Sequence, residues 1–291
     1  MTAQSPMEIE TSATVLPPEL VNTLDRRIAD GTLDLPLLPE AAAMVLSMSK
    51  DDDFDQIELE ATVKRDPAMA AHLLRLANSA MFAARIPIVS LRQAIGRLGA
   101  YQLRQIALMF SCQTRVFKIP GWETEIRKKF VHSLTCAVYA EEVARLAQMN
   151  PEESFSAGLL HDVGYPVLLQ AIVDMQRKFH VSLDRHVIRE CASARHAAAG
   201  GQLARAWLLP PRLVSVITQH HEPKTAGEMK RSSCLVHLAD ELARELLGEA
   251  PEEGQPPFDP SVLGVLGIPE AAVQGLREKT HEVESLVRDL S

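Results

Sequence analysis

Aromatic residues make up only 4% of this 291-residue chain, with three Tyr and two Trp. A β-sandwich or barrel core, which draws on aromatic and β-branched side chains, is therefore not indicated. No run of β-branched residues alternates with period 2. No apolar stretch approaches the roughly 20 residues that cross a bilayer. The first residues, MTAQSPMEIETSATVLPPEL, are acidic and have no charged segment followed by an apolar one, so they do not read as a secretory leader. Four cysteines stand singly, at Cys112, Cys136, Cys191 and Cys234, and none forms a CxxC pair that would mark a thiolate metal site or a redox motif. Cys112, Cys136 and Cys234 lie among apolar neighbours and read as buried thiols. Positive charge is not in excess either. The net charge is −8, which argues against general affinity for nucleic acid, because binding phosphate needs a clustered positive field. The cytoplasm is the expected location, with neither membrane nor nucleic acid as partner.

What is abundant is Ala and Leu, within a hydrophobic fraction of 46%. Runs such as Ala41-Ala42-Ala43-Met44-Val45-Leu46 favour helix, and the expected fold class is all-α. Residues 1–15 read as disordered. Pro17-Pro18 opens a helix to about Ala29. Leu35-Pro36-Leu37-Leu38-Pro39 is a rigid turn feeding a helix over 39–49. Asp55 caps a helix over 56–65, and Asp66-Pro67 combines an N-cap with Pro at the first helical position. Ser90 caps a short helix, Gly99 interrupts it, and another follows through Leu103, Ile106 and Phe110. Pro120-Gly121 breaks regular structure and makes 118–121 the best joint. Three segments are expected around it: an N-terminal helical lobe over 16–118, a second lobe over 122–248, and a linker with two C-terminal helices over 249–291. Within the second lobe the pattern predicts helices over 122–148, 151–170, 171–179, 182–194, 196–208, 210–221 and 230–247.

The polar exceptions inside this lobe carry the chemistry. His161-Asp162 interrupts the apolar stretch Ala157 to Gly164, and a carboxylate is costly to bury without a compensating cation or donors. His220-His221 closes an apolar helix. The helix dipole alone would favour cationic His there, but neutral imidazole is also the commonest metal ligand. His132 falls on the apolar side of the long helix, His196 opens the helix before Gly200, and Asp240 stands between Leu238 and Leu242. Each alone is more often structural. Together they are seven candidate ligands, and imidazole with carboxylate suits one or two divalent ions of Fe, Mn, Ni or Zn. His72, His180, His186 and His281 have no companion at metal-site spacing and read as surface or core histidines. A structural role is expected for His237.

A His, then a His-Asp pair, then a later Asp resembles the HD superfamily of metal-dependent phosphohydrolases. That resemblance implies His132, His161, Asp162 and Asp240 as ligands. The added His196 and His220-His221 resemble the dinuclear HD-GYP phosphodiesterase branch. A closer likeness is to HDOD, the HD-related output domain, over about residues 30–245. Its landmarks are Leu35 to Pro39, Asp66-Pro67 leading to Leu76-Ala77-Asn78-Ser79, Ala94-Ile95 with Leu98-Gly99, Gly158 to Gly164, His196 with Gly200, Trp207 to Pro210, and His220 to Pro223. The resemblance implies a two-lobed all-α fold with a five-helix HD-like core in the C-terminal lobe. It also implies a bacterial signalling role, with a protein partner or a small phosphate-containing ligand. Catalysis is the alternative, with Asp162 bridging two ions. Tyr165 stands where HD hydrolases commonly carry a phosphate-holding Lys, and Lys128 where the phosphodiesterase branch has a Glu. The Gly-Tyr-Pro signature of that branch is missing after His221. Arg195, Lys128 and Lys129 are the candidate phosphate partners.

Overall fold

The structure, a computed structural model, describes residues 17–47, 55–78, 87–113, 119–250 and 259–290. The N-terminal stretch expected to be disordered lies outside them. Among the described residues the architecture is all-helical, and no helix is long and apolar enough to cross a membrane. The first helices follow their start signals. Helix α1 (Pro18–Ala29) begins with Pro at its first turn. Helices α2 (Glu40–Ser47), α3 (Gln56–Lys64) and α4 (Pro67–Ala77) come next. The Asp55 carboxylate accepts from the backbone N–H of Ile57 at 2.8 Å and of Glu58 at 3.1 Å. Asp66 does the same for Met69 at 3.3 Å. Both satisfy donors that a helix start leaves orphaned. Helix α5 (Leu91–Gln113) turns at Gly99, where φ is 72° and ψ 169°. Helices α2 to α5 pack on one another.

The chain then turns at 119–122 into α6 (Glu123–Leu146), which pairs with α7 (Pro151–Leu160) and with α12 (Lys230–Leu247). Between these lie α8 (Gly164–Phe179), α9 (Arg185–Ser193), α10 (His196–Ala206) and α11 (Pro211–Gln219). Helix α1 packs against α8 and α10. Arg195 Nε meets Asp25 at 2.6 Å and the Trp207 indole N–H donates to the Pro36 carbonyl at 2.9 Å. Leu73, Leu103 and Phe110 belong to the same continuous buried cluster as Leu160, Ile172 and Leu235.

Two expectations change. The helix predicted over 151–170 ends at Leu160; residues 161–163 turn, and α8 runs unbroken from Gly164 through the predicted 170/171 boundary. Tight hydrogen bonds from Val163 N–H to Leu160 O (3.1 Å) and from Tyr165 N–H to Asp162 O (2.9 Å) mark this turn. Its backbone stays near helical, with φ −56° and ψ −40° at His161, so hydrophobic periodicity passes through it unbroken. The bend comes from packing. A Cβ on Gly164 would stand 2.0 Å from the His196 carbonyl oxygen and 2.3 Å from Gly200 N. Helix α8 therefore touches α10 backbone to backbone, and only glycine fits. Among its described residues the C-terminal segment holds three helices where two were expected: α13 (Ser261–Leu266), α14 (Glu270–Glu278) and α15 (Thr280–Leu290). Helix α13 packs on α12, and α14 and α15 pack on α6.

Candidate metal centre

The seven residues singled out in the sequence meet at one place. His132 comes from the middle of α6, His161 and Asp162 from the turn after α7, His196 from the first turn of α10, His220 and His221 from the end of α11, and Asp240 from the middle of α12. All are buried except His221, which is half-buried. They fall into two groups whose ligand atoms lie within 4.8 Å of one another: His132 with His161 and Asp240, and His196 with His220 and His221. Asp162 lies between them. Its Oδ1 is 2.9 Å from His196 Nε2 and 3.8 Å from His220 Nε2. Its Oδ2 is 3.5 Å from His161 Nε2 and 3.8 Å from His132 Nε2. One carboxylate thus presents one oxygen to each group.

Local backbone geometry orients three of the rings. His161 Nδ1 lies 2.7 Å from the Gly158 carbonyl, His196 Nδ1 2.6 Å from that of Ser193, and His220 Nδ1 2.8 Å from that of Ile217. A carbonyl oxygen only accepts, so each Nδ1 carries a proton and each Nε2 faces the centre. Burial pushes the pKa of His161 and His220 down, with the neighbouring histidines adding to the effect. Burial thus favours their neutral forms, in which Nε2 carries a lone pair, while the charges of Asp162 and Asp240 oppose it at His161. Burial alone would raise the Asp162 and Asp240 carboxyls. The surrounding groups outweigh it and hold both below the usual carboxylate range: chiefly His161, Lys129 and His196 for Asp162, and the His132 hydrogen bond for Asp240.

The arrangement fits divalent cations. His196 Nε2 lies 3.1 Å from His220 Nε2 and 2.9 Å from His221 Nε2. With Nδ1 of both rings committed to backbone carbonyls, the two Nε2 atoms face each other, and Asp162 Oδ1 lies 2.9 Å from that of His196. Asp240 Oδ1 is buried and faces His132 Nε2 at 3.0 Å and His161 Nε2 at 3.8 Å. Inward-facing imidazole nitrogens and a carboxylate oxygen left with spare capacity are what a cation would satisfy, and a metal–nitrogen bond of about 2.0–2.1 Å places neighbouring ligand nitrogens at about this separation. His132, His161, Asp162 and Asp240 would hold one ion; Asp162, His196, His220 and His221 would hold the other.

Three contacts around the centre were not foreseen. Arg244 Nη2 donates to Asp240 Oδ2 at 2.8 Å. Lys129 Nζ lies 3.3 Å from Asp162 Oδ2 and 4.9 Å from the Tyr165 ring centroid. Glu249 Oε2 accepts from His132 Nδ1 at 2.8 Å. The first two were readable as spacing, since Arg244 is one turn beyond Asp240 and Lys129 one turn before His132. Glu249 lies past the end of α12, where no helical spacing reaches. His237 is buried and hydrogen-bonds to the His220 backbone, in keeping with the structural role expected of it. Of the candidate phosphate partners, Lys129 alone reaches the cluster. Arg195 is engaged by Asp25, because the chain at the start of α10 turns its side chain toward α1. Lys128 is exposed, on another side of α6 from Lys129. A small cavity of about 30 Å³ opens beside Asp162 and Lys129, lined also by Phe130, Ser133 and Pro166.

An all-helical protein with paired His/Asp groups is what the fold and site define, and the comparisons give the family. The HDOD domain model matches residues 35–223, and the chain belongs to that family. A protein of Treponema pallidum (strain Nichols), itself uncharacterized, is 26% identical over 262 residues, covering 86% of this chain. The match takes in 48% of that relative, so the chain spans about half its length. Among solved structures, an HDOD domain protein of unknown function from Geobacter sulfurreducens superposes with TM-score 0.65 at 24% identity, covering 94% of this chain and 99% of that one. A protein of Shewanella amazonensis SB2B, provisionally titled a phosphohydrolase, gives TM-score 0.65 at 23% identity, covering 92% of this chain and 98% of that one. These likenesses establish the shared all-helical fold.

Proposed function

We propose that the protein is a cytoplasmic HDOD signalling module that holds one or two divalent ions as a structural and ligand-responsive centre, and that it regulates a partner rather than turning over a substrate. The observation that supports this most lies around Asp162. Beside Asp162 the space a water can occupy is about 30 Å³, enough for one or two waters against the carboxylate. The side chains around it are committed to one another, and Tyr165 in place of a Lys brings no charge to hold a phosphate. The region around α2 to α5 offers a surface for a protein partner, where Ile57 on α3 and Leu37 and Val89, in the stretches before α2 and α5, stand exposed.

One observation favours hydrolysis as the second reading. Lys129 brings an ammonium from α6 into the cavity beside Asp162 and over Tyr165, at the place the missing Lys would serve. In that reading the ions would supply an activated water near neutral pH. Asp162 would be shared between them, and Lys129 would orient a phosphate oxygen.

Elemental analysis of the purified full chain, followed by assay with a phosphomonoester and a cyclic dinucleotide in the presence of Mn²⁺, separates the readings. The expected result is one or two bound transition-metal ions per chain, lost on Asp162→Ala, and no hydrolysis above the metal-only rate. Sustained turnover that disappears in Asp162→Ala would overturn the regulatory reading in favour of the second. A wild-type chain that takes up no ion would overturn both.

A further inference from the structure

His132 is held differently from the other oriented histidines. His161, His196 and His220 each lean on a backbone carbonyl three residues back, at the end or start of a helix where that carbonyl has spare capacity. His132 sits in the interior of the 24-residue α6. The carbonyls of the preceding turn are there engaged in the helix ladder, so its Nδ1 needs a partner from another element. That partner is Glu249, whose Oε2 lies 2.8 Å away across a sequence separation of 117 residues.

Glu249 reaches this place through a specific backbone device. Helix α12 ends at Gly248 in the left-handed conformation, φ 65° and ψ 31°, which glycine adopts without a Cβ penalty. The Glu249 N–H then bonds back to the Arg244 carbonyl at 3.0 Å. The turn sends the chain back over α12 toward α6. The helices that follow are fastened to the same two elements. Arg277 pairs with Glu245 at 2.7 Å, Lys279 pairs with Glu142 at 2.6 Å, and Arg231 donates to the Leu266 and Ala147 carbonyls at 3.2 and 3.0 Å. Glu249 and the helices after it lie outside residues 35–223, which match the family model.

We infer that Glu249 is a positioning residue for His132, and that the segment after α12 thereby completes the outer support of one half of the metal centre. The inference rests on the proposed metal-holding function and extends it to residues with no earlier assignment. A carboxylate that accepts from Nδ1 fixes the ring's tautomer, leaves Nε2 as the ligand atom, and strengthens it as a donor to the ion. Loss of such an outer partner typically costs about 10–100-fold in metal affinity. Glutamine at 249 would keep an acceptor at nearly the same length but remove the charge.

The test is a titration of the metal-free full chain with Co²⁺ alone, followed by visible absorption and calorimetry, for wild type, Glu249→Gln, Glu249→Ala and His221→Ala. The expected result is two ions bound by wild type. In Glu249→Ala one of them weakens about 10–100-fold, with a smaller loss in Glu249→Gln. His221→Ala weakens the other ion and leaves the Glu249-dependent one in place. Thermal unfolding of the metal-free Glu249 variants falls only modestly, since Glu249 is more than a third exposed at the site and Asp240 still faces His132. Wild-type binding of both ions by Glu249→Ala would overturn this inference and leave the metal-holding function standing. Failure of wild type to bind Co²⁺ would remove that function, and the inference with it. If Glu249→Ala proves unstable, Glu249→Gln decides by the same titration.

Discussion

Helices α2 to α5 and helices α6 to α12 are built from the same Ala- and Leu-rich composition, yet they bury polar groups to opposite ends. In the first set the polar interior is sparse. His72 is buried on α4, accepts at Nδ1 from Arg75 at 2.8 Å, and has no partner for Nε2 among the described residues. In the second set, five imidazoles and two carboxylates share one interior and face one another. An isolated buried imidazole is tolerated by staying neutral. A group of them with carboxylates between requires added positive charge, as protons or as metal. The difference teaches that burial of a titratable residue is not itself a sign of function; convergence of several upon one point is.

The comparison can be broken at its strongest joint first. Gly164→Ala places a methyl against the backbone of α10 and should cost about 4 kcal/mol, at the upper end for overpacking. Metal content should fall as well, because the atom it strikes is the His196 carbonyl. Urea denaturation and elemental analysis read the two effects. A stable, fully loaded Gly164→Ala would show that the α8–α10 contact does not position the site. Leu73→Ala, in the fully buried core of α4, should cost about 3 kcal/mol and leave metal content unchanged. A loss of metal there would mean that the two regions are not separable in function.

The smallest effect is in pH, and its sign differs between the regions. Burial, with Arg75 adding to it, pulls the His72 pKa down to about 4 from 6.5. The unfolded chain therefore takes up a proton that the native one refuses. Stability from this residue is full above pH 6.5 and falls as pH drops toward 4, by about 2 kcal/mol at pH 5. His132 runs the other way in the metal-free protein. Burial lowers its pKa, but hydrogen bonds to Asp240 and Glu249 outweigh that and raise it to about 9. Its contribution is full below pH 6.5 and is lost as pH rises through 9. Denaturation of the metal-free chain at pH 5, 7 and 9, with His72→Gln as reference, checks both. A pH 5 deficit that persists undiminished in His72→Gln would assign it elsewhere.

Much of this was legible because it is local. Asp55 and Asp66 announce helix starts, and each caps one. The seven ligand-type residues were visible as polar exceptions on apolar faces, since a buried carboxylate in a helix needs an explanation wherever it stands. The turn at 161–163 was not legible, because its residues keep near-helical dihedrals, and the close contact beside it is with Gly200 and the His196 carbonyl, more than thirty residues away. The Glu249 contact was hidden for a like reason. Its partner is on α6, and what delivers it is the left-handed turn at Gly248, which a sequence reads only as a helix stop. Arg195 shows the converse. Its position beside His196 suggested a phosphate partner, yet its direction is set by Asp25 on α1.

A single aspartate with one oxygen on each side has a thermodynamic consequence. In the proposed function, loading either half would fix the rotamer and charge of a group that the other half also needs, so the two binding equilibria would be linked. Linkage of this kind is reciprocal: whatever factor the first ion lends the second, the second returns to the first. In the proposed two-ion loading, a carboxylate already fixed favours the second ion while the first cation repels it, so the shared aspartate sets how far the two steps of a metal titration depart from independence.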